Sequence, residues 1–215
     1  MTIYDLKPAF QDMLRPLCRK LALAGCTANQ VTLAAALGSI AVGSLFAYVQ
    51  GTGPLALIVP VWLFVRMALN AIDGMLAHEH GQQSPLGSML NELGDVVSDA
   101  ALYLAFAFVP GISVVLVIGA VFTALLTELA GVVAVQIGAD RRYDGPMGKS
   151  DRALAFGLGA FLLGSGVQAG PWLDAGLGIV VLLSAVTVVR RARAAVKTAA
   201  VRSPTSDDPE TRNPH

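Results

Sequence analysis

The sequence predicts an all-α, polytopic membrane protein of about six transmembrane helices preceded by an amphipathic surface helix. Three observations predict it. Of 215 residues, 54% are hydrophobic and only 14% charged, against about 25% charge in a soluble domain. The mean hydropathy is +0.62. The apolar residues also gather into runs of about 20, enough to cross a hydrocarbon core about 30 Å thick, and each run must be helical because lipid offers backbone polar groups no partner. The expected spans are 29–50, 54–77, 87–108, 111–137, 150–168 and 172–196.

In residues 1–27, Phe10, Met13, Leu14, Leu17 and Leu21 recur at helical spacing among charges. That pattern suits an amphipathic helix lying along a membrane surface and not a secretory signal. Residues 28–200 form one six-helix membrane domain with no internal repeat. Residues 201–215, rich in Pro, Asp, Ser and Thr, make an expected disordered tail. Of the 15 Lys and Arg residues, all but Arg66 lie in the N-terminal segment, between Arg141 and Arg152, or from Arg190 onward. With six spans, both termini and the even-numbered connections share that positive side, so both termini are expected in the cytosol and the chain in a cell inner membrane. Cys18 and Cys26 then face a reducing compartment, where no disulfide is expected. A net charge of zero gives no case for nucleic acid, and the lack of charged rings or repeated filter loops gives none for a channel.

Ionisable groups inside a span are costly, so each is a functional candidate. They concentrate in two spans. The second ends RMALNAIDGMLAHEHG, which aligns Asn70, Asp73 and Ala77 on one face, with Gly74 beside them and Arg66 one turn before. The third reads GSMLNELGDVVSDA, where Gly87, Asn91, Asp95 and Asp99 recur every four residues as a slowly rotating stripe. A short connection makes the pair antiparallel, so two facing helices present oxygen ligands to each other near the cytosolic end.

NAIDGMLAH, then EHGQQSPL, then GSMLNELGD resembles the signature of the CDP-alcohol phosphotransferase family, DxxDGxxAR followed by eight residues and GxxxDxxxD. Asp73, Gly74, Ala77, Gly87 and Asp95 match in identity. Asn70 and Asn91 stand where the family has aspartates, and His78 where it has arginine. TANQVTLAA resembles the PNxxT stretch of the same family, putting Asn29 and Thr32 forward, and DGPMGKSDRA resembles its phosphate-contacting segment, putting Lys149 and Arg152 forward. Six helices behind a surface helix is also the family architecture.

The resemblance implies transfer of a substituted phosphate from a CDP-linked donor, CDP-diacylglycerol being the expected one, to a small alcohol acceptor with release of CMP. It implies one or two Mg²⁺ or Mn²⁺ ions held at Asn70, Asp73, Asn91 and Asp95, with Asp95 as the catalytic base. Asn29, Thr32, Gly74, Ala77, Gly87, Lys149 and Arg152 would line the donor site, Gly74 allowing close approach because it has no side chain. Carboxylate and carbonyl oxygens suit a hard ion that keeps waters and substrate phosphates. The asparagines keep an oxygen but bring no charge, so two formal negatives stand where four are usual.

Other readings stay open from the residues themselves. Asn70 and Asn91 would also serve as cross-helix hydrogen bonders. Arg66 would neutralise Asp73 or snorkel, Glu128 needs a partner of unknown identity, and Arg190, Arg191, Arg193 and Lys197 read as topology determinants. Gly157, Gly159, Gly164 and Gly166 suit close helix packing, including a homodimer. A catalytically silent homologue that binds a CDP-lipid or a membrane partner, and a prenyltransferase, are the alternatives to the transferase.

Overall fold

The computed structural model describes residues 3–202. It contains α1 (Ile3–Leu23), α2 (Ala28–Tyr48), α3 (Ile58–Glu79), α4 (Pro85–Leu104), α5 (Val114–Gln136), α6 (Lys149–Gly164) and α7 (Pro171–Arg202). Short 3-10 turns at Pro54–Leu57 and Ala105–Phe108 lead into α3 and prolong α4, and no strand occurs among the described residues. The expected tail lies, from residue 203 on, outside them.

Local chemistry explains the helix starts nearest the polar face. Thr27 caps α2: its hydroxyl accepts the Gln30 N–H at 3.2 Å while the Gln30 side chain accepts the Thr27 N–H at 3.0 Å, a reciprocal capping box. Ser84 caps α4, its hydroxyl accepting the Gly87 N–H at 2.9 Å, and Pro85 follows at the position that has no use for an N–H. That cap moves the start of α4 two residues ahead of the expected Gly87.

Among the described residues, four helices are long and apolar enough to cross a membrane: Ala28–Tyr48, Pro54–Glu79, Val114–Gln136 and Pro171–Val201. The sequence counted six spans. The other two, α4 and α6, complete the bundle but differ in character, since α4 carries Glu92, Asp95 and Asp99 and α6 has only 16 residues.

In the bundle α2 packs against α3 and α4, α5 against α4 and α7, α6 against α3, and α1 lies against α3. Lipid is as apolar as leucine, so packing and cross-helix hydrogen bonds, and not expulsion of water, hold such helices together. Small residues provide the contact. A Cβ at Gly43 would stand 2.3 Å from the Ala101 carbonyl oxygen, which is how closely α2 approaches α4. Gly157 faces Leu63, Gly159 faces Leu173 and Phe106, and Gly164 faces Leu57, so these three glycines serve packing within the chain. At the end away from the polar face, Tyr103 stacks on Phe156 with ring centres 3.9 Å apart, and Phe106 packs edge-on to the same ring at 5.1 Å. Gly43→Ala is expected to cost about 2 kcal/mol, the scale of overpacking a filled core. Unfolding of the purified protein in detergent measures it, and an unchanged midpoint would mean that α2 and α4 separate freely.

Candidate active site

The polar ends of α2, α3 and α4, with the first turn of α6, enclose a cavity of about 790 Å³. Asn29 and Thr32 reach it from α2; Asn70, Asp73, Gly74, Ala77 and His78 from α3; Gly87, Asn91 and Asp95 from α4; and Lys149 from α6. Thus every residue that the sequence put forward for the site lines one cavity, except Arg152. Gln82, Gln83, Ser84 and Ser88 complete the rim.

The two carboxylates sit in different settings. Asp73 is buried, and its Oδ2 accepts a hydrogen bond from the Thr32 hydroxyl at 2.9 Å. Thr32 thereby links the α2 segment to the acidic motif. Asp95 is more open, and donors converge on its Oδ1: the Asn70 amide at 3.1 Å, Arg66 Nη2 at 3.3 Å and the Lys149 ammonium. Asn70 donates its NH₂ to Asp95, and its carbonyl oxygen remains an acceptor. Gly74 has open space where a Cβ would stand, and Gly87 lies against the Asn29 side chain, 2.9 Å from a Cβ placed there.

Arg66 does not neutralise Asp73. Its Nη1 donates to Asp99 and its Nη2 to the Asp95 carbonyl at 3.1 Å. The reason is geometric: Asp73 is two turns farther along the same helix, while Asp95 and Asp99 face Arg66 from α4. Asp99 is therefore committed to Arg66, and Glu92 to Arg141, so neither makes up for the charge absent at Asn70 and Asn91.

Arg152 lies behind the cavity. Its side chain is 0% exposed; Nη1 donates to Thr127 Oγ1 at 2.8 Å and the Met147 carbonyl at 3.3 Å, and Nη2 donates to Glu128 at 2.9 Å. Asp99 stands 3.6 Å from it. Lys149 and Arg152, three residues apart, thus divide: one faces the cavity and the other the bundle interior. Glu128 finds its partners in Arg152, in Arg191 at 3.7 Å and in Arg141 at 3.8 Å. Arg191 is no surface topology charge. It is buried, donating through Nη1 to the Thr127 carbonyl and through Nε to the Asp144 carbonyl at 3.2 Å. A signal for it existed: Ser184, Thr187 and Arg191 form a buried polar stripe at helical spacing along the otherwise apolar α7. Gln82 was also missed. It joins the loops, accepting the Ala28 N–H at 2.7 Å and donating to the Cys26 carbonyl at 3.3 Å.

A second cavity, about 650 Å³, runs between α3 and α6 and shares Asn70 and Lys149 with the first. Its remaining wall is mainly apolar, with Leu63, Phe64, Met67, Leu154 and Phe161.

Residues 26–189 match the CDP-alcohol phosphatidyltransferase family. The chain belongs to that family. This CDP-alcohol phosphatidyltransferase family member is 46% identical over 193 residues to the inner membrane protein YnbA of Escherichia coli (strain K12), across 90% of this chain and 96% of that one. It is 29% identical over 127 residues to the archaetidylinositol phosphate synthase of Aeropyrum pernix, across 59% of this chain and 62% of that one. In fold it resembles the Mycobacterium tuberculosis phosphatidylinositol phosphate synthase PgsA1. With the structure of PgsA1 in complex with manganese and citrate the TM-score is 0.73 at 20% identity, covering 89% of this chain and 92% of that one. With the structure of PgsA1 with CDP-DAG bound, the TM-score is 0.70 at 20% identity, covering 86% and 92%. Membership places the chain among transferases of phospholipid synthesis.

Proposed function

We propose that this protein moves a substituted phosphate from CDP-diacylglycerol to a small alcohol and releases CMP. The observation that carries this reading is the union of the two cavities: a polar chamber lined by the motif residues continues, through Asn70 and Lys149, into an apolar groove along α3 and α6. A donor with a nucleotide head and acyl tails has both surfaces, and so has the ligand named for one of the fold's solved structures.

The donor set fits a hard divalent cation. Asp73 and Asp95 bring carboxylates and Asn70 and Asn91 amide oxygens, with no sulfur ligand facing the cavity. Asp73, with the amide oxygens of Asn70 and Asn91, would hold the ion, Asp95 standing beside it as the base; the ion would neutralise phosphate charge and stabilise the leaving phosphate when bound. Thr32 holds Asp73 in place. Gly74 and Ala77 leave room for the nucleotide, and Lys149 supplies positive charge for its diphosphate. As the Lys149 amine turns from Asp95 to the phosphates, the Asp95 oxygen is freed to take the alcohol's proton. The alcohol oxygen then bonds to the phosphorus that carries diacylglycerol, the bond from that phosphorus to the bridging oxygen breaks, and CMP leaves with the electron pair. Arg152, by its burial, is a positioning residue for α6 and for Lys149 at its start. The protein would work in a cell inner membrane with both termini in the cytosol, where nucleotide-linked substrates are made.

The test is CMP release by purified protein from CDP-diacylglycerol, with Mg²⁺ or Mn²⁺ and a panel of small alcohols with and without a phosphate group. Metal-dependent release stimulated by one alcohol establishes the reaction. CDP-lipid binding without release under any of these conditions would mark a silent homologue, a reading that the structural use of the Asn70 amide on Asp95 favours. A further prediction concerns the cavity floor. Gly74→Ala meets no neighbour and should raise stability by a few tenths to 1 kcal/mol through helix propensity, yet weaken donor binding about tenfold by filling the nucleotide's approach. Equal KM in the two proteins would remove Gly74 from the donor site.

A further inference from the structure

The number of cations in this site follows from its charges, and the inference rests on the function proposed above only for the identity of the site. Two carboxylates face the cavity, at Asp73 and Asp95. Two divalent ions side by side bring four positive charges, and such sites normally gather carboxylates to match them. Among the described residues no group of three or more His, Cys, Asp or Glu side chains is arranged to hold a metal. The nearest additional acids are committed elsewhere, Asp99 to Arg66 and Glu92 to Arg141. The cavity also contains its own cation: the Lys149 ammonium sits on Asp95 Oδ1, with Arg66 Nη2 and the Asn70 amide on the same oxygen. That oxygen is surrounded by donors, which repel a metal ion. Asp73 is different, because the side chain that donates to it is the neutral Thr32 hydroxyl.

We propose that the ligand-free protein binds a single divalent ion, on Asp73 with the amide oxygens of Asn70 and Asn91, and that before the donor arrives Lys149 stands at Asp95 in place of a second ion. The asparagines and the lysine then form one adaptation. An amide at position 70 can donate to Asp95, which a carboxylate could not, and so it keeps Asp95 paired with protein groups.

The test uses purified full-length protein without substrate, titrated with Mn²⁺ and followed by electron paramagnetic resonance and calorimetry. One Mn²⁺ per chain with the spectrum of an isolated ion is expected. Lys149→Gln should tighten that ion about tenfold by removing a nearby like charge, and the triple variant Asn70→Asp, Asn91→Asp, Lys149→Gln should take two ions with an exchange-coupled spectrum. Two coupled ions in the native protein, no bound ion, or an affinity indifferent to Lys149→Gln would each overturn the proposal. Because the readout is ion count and spectrum, it separates from the reaction: CMP release with two native ions sinks this inference alone, and one ion without CMP release sinks only the transferase reading.

Discussion

Asp95→Asn is expected to lower CMP release by roughly 10²–10⁴-fold, the range that loss of a positioned general base covers, while the protein stays folded. Folding should survive because Arg66 keeps Asp99 and the Asp95 carbonyl as acceptors after the carboxylate is gone. The substituted amide still accepts from Asn70 or Lys149 through its oxygen. Asp73→Asn should be as damaging by another route, since it removes the carboxylate best placed for the cation and leaves Thr32 bonded to a neutral group. The two variants divide on metal: Asp73→Asn should lose Mn²⁺ binding, whereas Asp95→Asn should retain it. Activity within tenfold of native in either purified variant would show that the motif residues do not carry the chemistry.

Arg152→Met is expected to destabilise the fold by about 3 kcal/mol, the low end for removing one partner of a buried ion pair. Methionine fills much of the space, so the loss is electrostatic. Four acceptors on three elements lean on this guanidinium: Thr127 and Glu128 on α5, Asp99 on α4 and the Met147 carbonyl before α6. Arg191 and Arg66 compensate in part, which is why the low end applies. Unfolding in detergent reads the loss, and donor KM on the folded fraction reads the alternative. A raised KM with unchanged stability would put Arg152 in contact with phosphate.

The acidic motif was legible because helical spacing converts sequence distance directly into a shared face. Asn70, Asp73, Asn91 and Asp95 needed only two helix periods and a short antiparallel turn to meet. Thr32 and Lys149 came from resemblance, since no local rule ties residues 41 positions or more from their partners. The division between Lys149 and Arg152 was illegible: a pattern places both on α6, but the rotation of α6 against α3 and α5 decides which one faces water. Arg191 failed for a related reason, because a run of four basic residues at a helix end reads as membrane-surface charge. Its acceptors, the carbonyls of Thr127 and Asp144, are backbone groups 64 and 47 residues away. α4, expected as a span from its length and apolar residues, is less apolar than its neighbours, and its acids Glu92 and Asp99 are met by arginines of α3, α6 and the loop before α6.

That buried charge network also bears on how the chain enters a bilayer. An aspartate or arginine at the centre of a lone helix costs about 2.5–3.5 kcal/mol on insertion, and α4 brings Glu92, Asp95 and Asp99 together. Alone it would be a poor passenger through the insertion machinery. Its creditor, Arg66, precedes it on α3 and can enter beside it as a hairpin, but Arg152 and Arg191 arrive only when α6 and α7 have been synthesised. Glu128 on α5 must wait for both. The partners of these acids are thus split along the chain: Arg66 stands one helix before the acids of α4, while Arg152 and Arg191, which meet Glu128 and the far side of Asp99, come with the last two helices.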